Sequence, residues 1–203
     1  MAAAEVVLVR HGETEWSRSG RHTGVTDLPL TAEGRRQAEA LRERLAGRRF
    51  ALVLSSPLSR ALDTCRLAGL GDRVQPRDDL REWDYGEYEG KTTAEIRAGR
   101  PEWYLFADGC PGGEDAGAVG ARVDRVIAEM RSSSGDVALF GHGHCLRVLA
   151  ARWLELAPAD GGRFALSTAT LSVLGYERGR PVFWLWNEAA DANGASRTTR
   201  PGR

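Results

Sequence analysis

Twice in this chain a continuous apolar run passes straight into a histidine followed by a glycine. Val6-Val7-Leu8-Val9 leads into Arg10-His11-Gly12-Glu13, and Asp136-Val137-Ala138-Leu139-Phe140 opens into Gly141-His142-Gly143-His144. A short apolar run without polar alternation, rich in β-branched residues, reads as a strand buried on both faces. A strand that exits into a cation, an imidazole and a glycine leaves a core and enters a site. In open α/β sheets, ligands bind beyond the carboxyl ends of such strands. If the two strands are parallel in one sheet, His11 and His142 meet at the same edge.

The intervening sequence supplies the rest of an α/β domain. A polar segment from Thr14 to Leu30 reads as a loop. Thr31 then caps a helix predicted to run to about Ala46, with Ala38, Leu41 and Leu45 on one face and Gly47 past its end. Phe50–Leu54 is a second strand. Ser56-Pro57 reads as a cap with proline at the first helical position, followed by the stripe Leu58, Ala61, Leu62, Cys65. Val74 to Arg77 reads as a short edge strand, the acidic and aromatic segment Asp79–Gly90 as an ordered loop, and Thr92–Ala98 as a short helix. Pro101–Gly113 reads as irregular. The spacing of Ala116, Val119, Val123, Val126, Ile127 and Met130 predicts a long amphipathic helix. A helix bearing Leu146, Leu149 and Trp153 follows the second histidine, and Ala169–Tyr176 and Pro181–Trp186 read as closing strands. Alternating strands and helices imply a three-layer α/β/α sandwich with a mostly parallel central sheet. It is read as one domain over residues 1–187, with a polar, disordered tail over 188–203.

Charge narrows the function classes. Lys+Arg and Asp+Glu are both 28, so no net field favours nucleic acid or a membrane surface. Lys91 is the only lysine, and that arginine preference is no functional signal by itself. Cys65, Cys110 and Cys145 have neither disulfide-framework nor metal spacing, so they read as reduced thiols in a cytoplasmic protein. No apolar run approaches the roughly 20 residues of a membrane span. The sequence leaves the oligomeric state open, a homodimer included.

Arg10-His11-Gly12-Glu13-Thr14 resembles the defining motif of the histidine phosphatase superfamily, the phosphoglycerate-mutase-like enzymes. The second His-Gly, the run Ser55-Ser56-Pro57-Leu58-Ser59-Arg60 and the segment Glu82 to Gly90 strengthen the resemblance, which extends from about Val6 to about Trp186. It implies the phosphoglycerate-mutase-like fold, with one antiparallel strand in the sheet. A phosphoryl group also fits the residues. Its transfer needs an in-line nucleophile and positive charge around three oxygens, and neutral imidazole is available near pH 7. The resemblance implies His11 as nucleophile, with Arg10, Arg60 and His142 as a clamp and Glu82 as the proton donor. The aromatic neighbours Trp83 and Tyr85 are expected to favour the protonated carboxyl by desolvation. The Gly143–His144 amides, opening a helix, are expected to favour the anion. Ser17, Thr23, Gly24, Tyr85, Gly143 and His144 are the candidate substrate contacts. His22, Trp103, Tyr104 and Phe106 line the pocket or pack beside it.

The Trp16 to Asp27 pattern resembles the phosphatase subgroup that includes fungal sedoheptulose bisphosphatase and mycobacterial acid phosphatase. The expected activity is hydrolysis of a small phosphorylated metabolite, a sugar phosphate or similar, through a phosphohistidine, with no cofactor and no metal. Three other readings compete. A phosphoglycerate mutase would carry a longer insertion between Glu82 and His142. A zinc hydrolase on His11, His142 and His144 would set its cation against Arg10 and Arg60. A catalytically dead phospho-ligand module would not need the full set of reactive residue types.

Overall fold

The computed structural model describes residues 4–189. In chain order the elements are β1 (Val6–Arg10), α1 (Glu15–Ser19), α2 (Ala32–Leu45), β2 (Leu52–Ser55), α3 (Ser59–Leu67) and β3 (Val74–Pro76). There follow α4 (Thr93–Gly99), α5 (Leu105–Asp108), α6 (Ala116–Arg131), β4 (Val137–Gly141), α7 (Gly143–Trp153), β5 (Thr170–Glu177) and β6 (Arg180–Ala189). The strands form one sheet in the order β3-β2-β4-β1-β5-β6. β1 to β4 are mutually parallel and β5 is the one strand running against the rest.

Alternation along β1 builds the layers. Val7 and Val9 join Leu41 and Leu45 of α2 and Cys65 of α3 in one buried cluster. Val6 and Leu8 join Val123, Val126 and Met130 of α6 and Leu146 and Leu149 of α7 in the other. Both faces of the strand are covered, so every position in Val6–Val9 is apolar. Each such side chain, fully buried, contributes about 1.5–3 kcal/mol of transfer free energy.

Register sets the site. Arg10 pairs with Gly141 in the parallel β1/β4 ladder, and the His11 amide donates to the Gly141 carbonyl at 2.9 Å. The two histidines therefore leave adjacent strands at one level. Gly12 then passes against α2 so closely that a Cβ there would lie 2.3 Å from the Gly34 carbonyl oxygen.

Several boundaries differ from the sequence expectation for local reasons. The Thr14–Leu30 loop contains α1, because Thr14 and Ser17 form a reciprocal capping box. The expected helix start at Ser56-Pro57 is corrected to Ser59: Ser56 Oγ accepts from the Leu58 amide at 3.3 Å within the preceding turn. One helical turn, α5, interrupts the irregular 101–113 segment. β6 carries Glu188 and Ala189, which pair with Leu171 and Thr170, and Glu188 is ion-paired with Arg44. The ordered domain thus extends past the expected boundary at 187; residues 190–203 of the expected tail lie outside the described residues. Among the described residues no helix is long and apolar enough to cross a membrane.

Candidate active site

Beyond the carboxyl ends of β1 and β4 lies a cavity of about 230 Å³. Its walls are Arg10 and His11, residues of the 17–23 segment, Glu82 and Tyr85, Thr93 of α4, the start of α7 and Leu166.

His11 is buried, and its Nδ1 lies 2.7 Å from the Gly12 carbonyl oxygen. A carbonyl only accepts, so Nδ1 carries the proton and Nε2 keeps its lone pair. Burial, followed by the charges of Arg10 and Arg60, holds the His11 pKa well below the ordinary histidine value. The ring is therefore neutral, with an unprotonated Nε2. The His142 ring meets it edge-on, with centroids 5.1 Å apart.

Arg10 donates from Nη1 to the Leu166 carbonyl. Its Nε is buried with no hydrogen-bond partner. A buried guanidinium donor left unpaired is costly, so this position favours an anionic acceptor beside His11.

Arg60 and His142 stand behind the wall. The Arg60 Nε donates to His142 Nδ1 at 3.2 Å, and its Nη groups donate to the carbonyls of Thr23, Gly24 and Thr26 at 2.9–3.1 Å. Both side chains are fully buried. Because Nδ1 accepts, His142 carries its proton on Nε2, which donates to Ser56 Oγ at 2.7 Å. Burial, then Arg60, holds this ring neutral as well.

Glu82 projects from the acidic loop to the start of α7. Its Oε1 accepts from the amides of Trp83 at 2.9 Å and Cys145 at 2.8 Å, and its Oε2 from the His144 amide at 3.0 Å. Two sequence expectations are corrected here. The carboxyl oxygens meet amide donors rather than aromatic walls, and the His144 amide is spent on Glu82 rather than free for an anion. Oε2 has one amide partner, so it retains acceptor capacity on the cavity side.

The expected substrate contacts divide. Ser17, Thr23, Tyr85, Gly143 and His144 line the cavity. Gly24, expected there, lies behind the wall because its amide and carbonyl are taken by Glu89 and Arg60. The Tyr85 hydroxyl, its pKa driven well above 10 by burial, is hydrogen-bonded to His144 Nδ1 at 2.5 Å. His22 also lines the cavity, its ring tilted against Tyr85 with centroids 4.7 Å apart, and burial lowers its pKa to about 4. Trp103 and Phe106 pack behind these rings. Among the described residues no three of His, Cys, Asp and Glu are gathered as metal ligands.

Sequence reasoning missed two groups. Ser56 is hydrogen-bonded to His142, though it sat inside a recognised motif. Arg147 lines the cavity, with Nε and Nη2 on the carbonyls of Gly161 and Gly162 and its guanidinium 4.6 Å from the Phe106 ring centroid. Its place one turn along α7 from Gly143 was the available signal.

The family model "Histidine phosphatase superfamily (branch 1)" matches residues 6–189. The chain is 44% identical to an acid phosphatase of Mycobacterium tuberculosis, over 86% of this chain and 87% of that protein. It is 38% identical to sedoheptulose 1,7-bisphosphatase of Saccharomyces cerevisiae, over 74% and 67% respectively. Among solved structures, a mycobacterial glucosyl-3-phosphoglycerate phosphatase in complex with VO3 superposes with a TM-score of 0.82 at 32% identity, covering 92% of this chain and 100% of that one.

Proposed function

The chain belongs to the histidine phosphatase superfamily (branch 1), and from that footing we propose that it is a phosphomonoesterase whose reaction runs through a phosphohistidine on His11. It acts on a small phosphorylated metabolite, in line with the sedoheptulose bisphosphatase and the glucosyl-3-phosphoglycerate phosphatase it resembles. One observation supports the intermediate above the others: the neutral His11 ring, with Nδ1 bound to the Gly12 carbonyl and Nε2 left unprotonated, lines the same cavity as Arg10, whose buried Nε is unpaired.

In the first step the His11 Nε2 lone pair attacks phosphorus and the bond to the ester oxygen breaks. Glu82 passes a proton to the departing alkoxide from Oε2. In the second step the carboxylate takes a proton from water as the water oxygen attacks phosphorus. The N–P bond breaks, releasing inorganic phosphate and restoring neutral His11. Arg10 meets the equatorial oxygens, and Arg60 adds positive charge from behind, with the neutral His142 ring between it and His11. This chemistry draws on the chain's own side chains and assigns no step to a metal or cofactor.

The cavity suits a metabolite rather than a nucleic acid or a membrane. Arg147 has no carboxylate partner among the described residues, which favours substrates with a second anionic group away from the scissile phosphate. All three cysteines are free and buried, in keeping with a cytoplasmic setting. The test is acid-quench trapping: wild-type protein mixed with substrate should carry acid-labile phosphate on His11. Full turnover with no phosphoenzyme under single-turnover conditions would exclude the covalent route.

A further inference from the structure

Glu89 does not line the catalytic cavity, yet it is joined to it through one short loop. Its Oε1 accepts from the amides of Gly24 at 2.9 Å and Thr26 at 3.0 Å, and its Oε2 lies 3.0 Å from the Gly24 amide. The same loop turns its carbonyls the other way: Thr23, Gly24 and Thr26 all accept from the Arg60 guanidinium. The loop belongs to no helix or strand, and Val25 between the two clamped residues is exposed. Its amides face a carboxylate and its carbonyls a guanidinium, so its peptide orientations are set by these two charges. No other residue fits at position 24, where a Cβ would lie 2.5 Å from the Trp83 carbonyl oxygen and 2.8 Å from Glu89 Oε2.

We propose that Glu89 is a positioning residue for phosphoryl transfer: it locks the 23–26 loop, the loop carbonyls hold Arg60 in one pose, and Arg60 in turn holds His142 against His11. The series is continuous, from Glu89 through two amides, three carbonyls and the Arg60 Nε to His142 Nδ1, and on from His142 Nε2 to Ser56. Asp27 pins the far end of the loop by accepting from the Ser59 amide at 2.9 Å, at the start of the helix that carries Arg60. Without Glu89 the Gly24 and Thr26 amides lose their acceptor, the carbonyls are free to rotate, and Arg60 loses three of its four hydrogen-bond acceptors together, keeping His142 and the looser ion pair with Asp27 at 3.8 Å. Misplacement of a charged group by about an ångström is enough to slow a preorganised site.

The effect on rate rests on the phosphatase reading above; the effect on His142 does not. The chain has four histidines, so long-range proton–nitrogen spectra can follow His142 directly. Glu89→Ala should remain folded, lower kcat/KM for p-nitrophenyl phosphate at least about tenfold, chiefly through kcat, and mix the two tautomers of His142. Glu89→Gln keeps Oε1 for both amides, though its NH2 then faces the Gly24 amide, so it should restore the single Nε2–H tautomer and part of the rate. If the alanine variant is insoluble, Glu89→Asp, one methylene shorter, serves in its place. A folded alanine or aspartate variant with wild-type His142 signals overturns the proposal, whatever its rate. A shifted His142 in a protein with no phosphatase activity even as wild type would keep the positioning role and overturn the phosphatase reading instead.

Discussion

The Cys145 amide donates to Glu82 Oε1 at 2.8 Å, so the proposed acid–base residue also caps the helix that begins beside His142. That helix has no capping side chain of its own at His142, and the carboxylate supplies the missing acceptor from a distant loop.

Glu82→Gln consequently has two effects. A sugar phosphate, with its poor alkoxide leaving group, should lose turnover heavily for want of a proton. p-Nitrophenyl phosphate should still form phosphoenzyme, giving a burst of nitrophenol followed by slow hydrolysis. The amide NH2 must face at least one of the three backbone donors, so the variant should also be about 1–2 kcal/mol less stable to urea. Equal damage to both substrates with no burst would remove Glu82 from the acid–base role and leave only the cap.

His11→Ala should abolish steady-state turnover, by a factor on the order of 10³ or more, while circular dichroism stays that of the wild type. It should also carry no acid-labile phosphate. Near-normal kcat in a folded His11→Ala protein is the outcome that excludes His11 as nucleophile.

Arg60→Lys should behave almost as badly as Arg60→Ala, losing kcat/KM on the order of 10²-fold, because an ammonium cannot reach three carbonyls and His142 Nδ1 together. Full activity of the lysine variant would show that bulk charge suffices.

Arg147→Gln should raise KM for substrates with a second phosphate or carboxylate and leave p-nitrophenyl phosphate nearly unaffected. Steady-state kinetics on a sugar bisphosphate and on the aryl ester separate the two. An equal loss on both would assign Arg147 to the reacting phosphoryl group.

His22 couples stability to pH. Its folded pKa of about 4 lies below the unfolded value of about 6.5, so the unfolded chain binds the extra proton between them. Stability therefore falls as pH drops from about 6.5 towards 4, and from this group no further below that. His22→Gln should flatten that part of the Tm-against-pH curve. An unchanged slope would place the acid sensitivity elsewhere.

The frame of the site was legible because it is local. Apolar strand, histidine and glycine are adjacent in sequence, and parallel pairing alone brings His11 and His142 together. The partners of Arg60 were not legible, since they are main-chain carbonyls of a loop whose residue types say nothing about where they point. Arg147 was hidden by composition: in a chain with a single lysine, one more arginine on a helix carries no signal. Glu82 was found through its motif, but its surroundings were misjudged, because flanking aromatics in sequence need not flank the carboxyl in space. The α3 start failed similarly, Ser56 being engaged by His142 rather than by the helix.

The parallel ladder that sets Arg10 against Gly141 has one more consequence, for anyone wishing to redirect this enzyme. The distance between the two imidazoles is a strand spacing and cannot be tuned by loop grafting. The walls that would meet the rest of a substrate come from elsewhere: the 17–23 segment, Thr93, Arg147 and Leu166. On the proposed function, reaction and substrate range are thus written in separate parts of the chain. Libraries confined to those outer walls should yield altered preference at undiminished intrinsic chemistry, whereas diversity at the two strand ends should yield mostly inactive proteins.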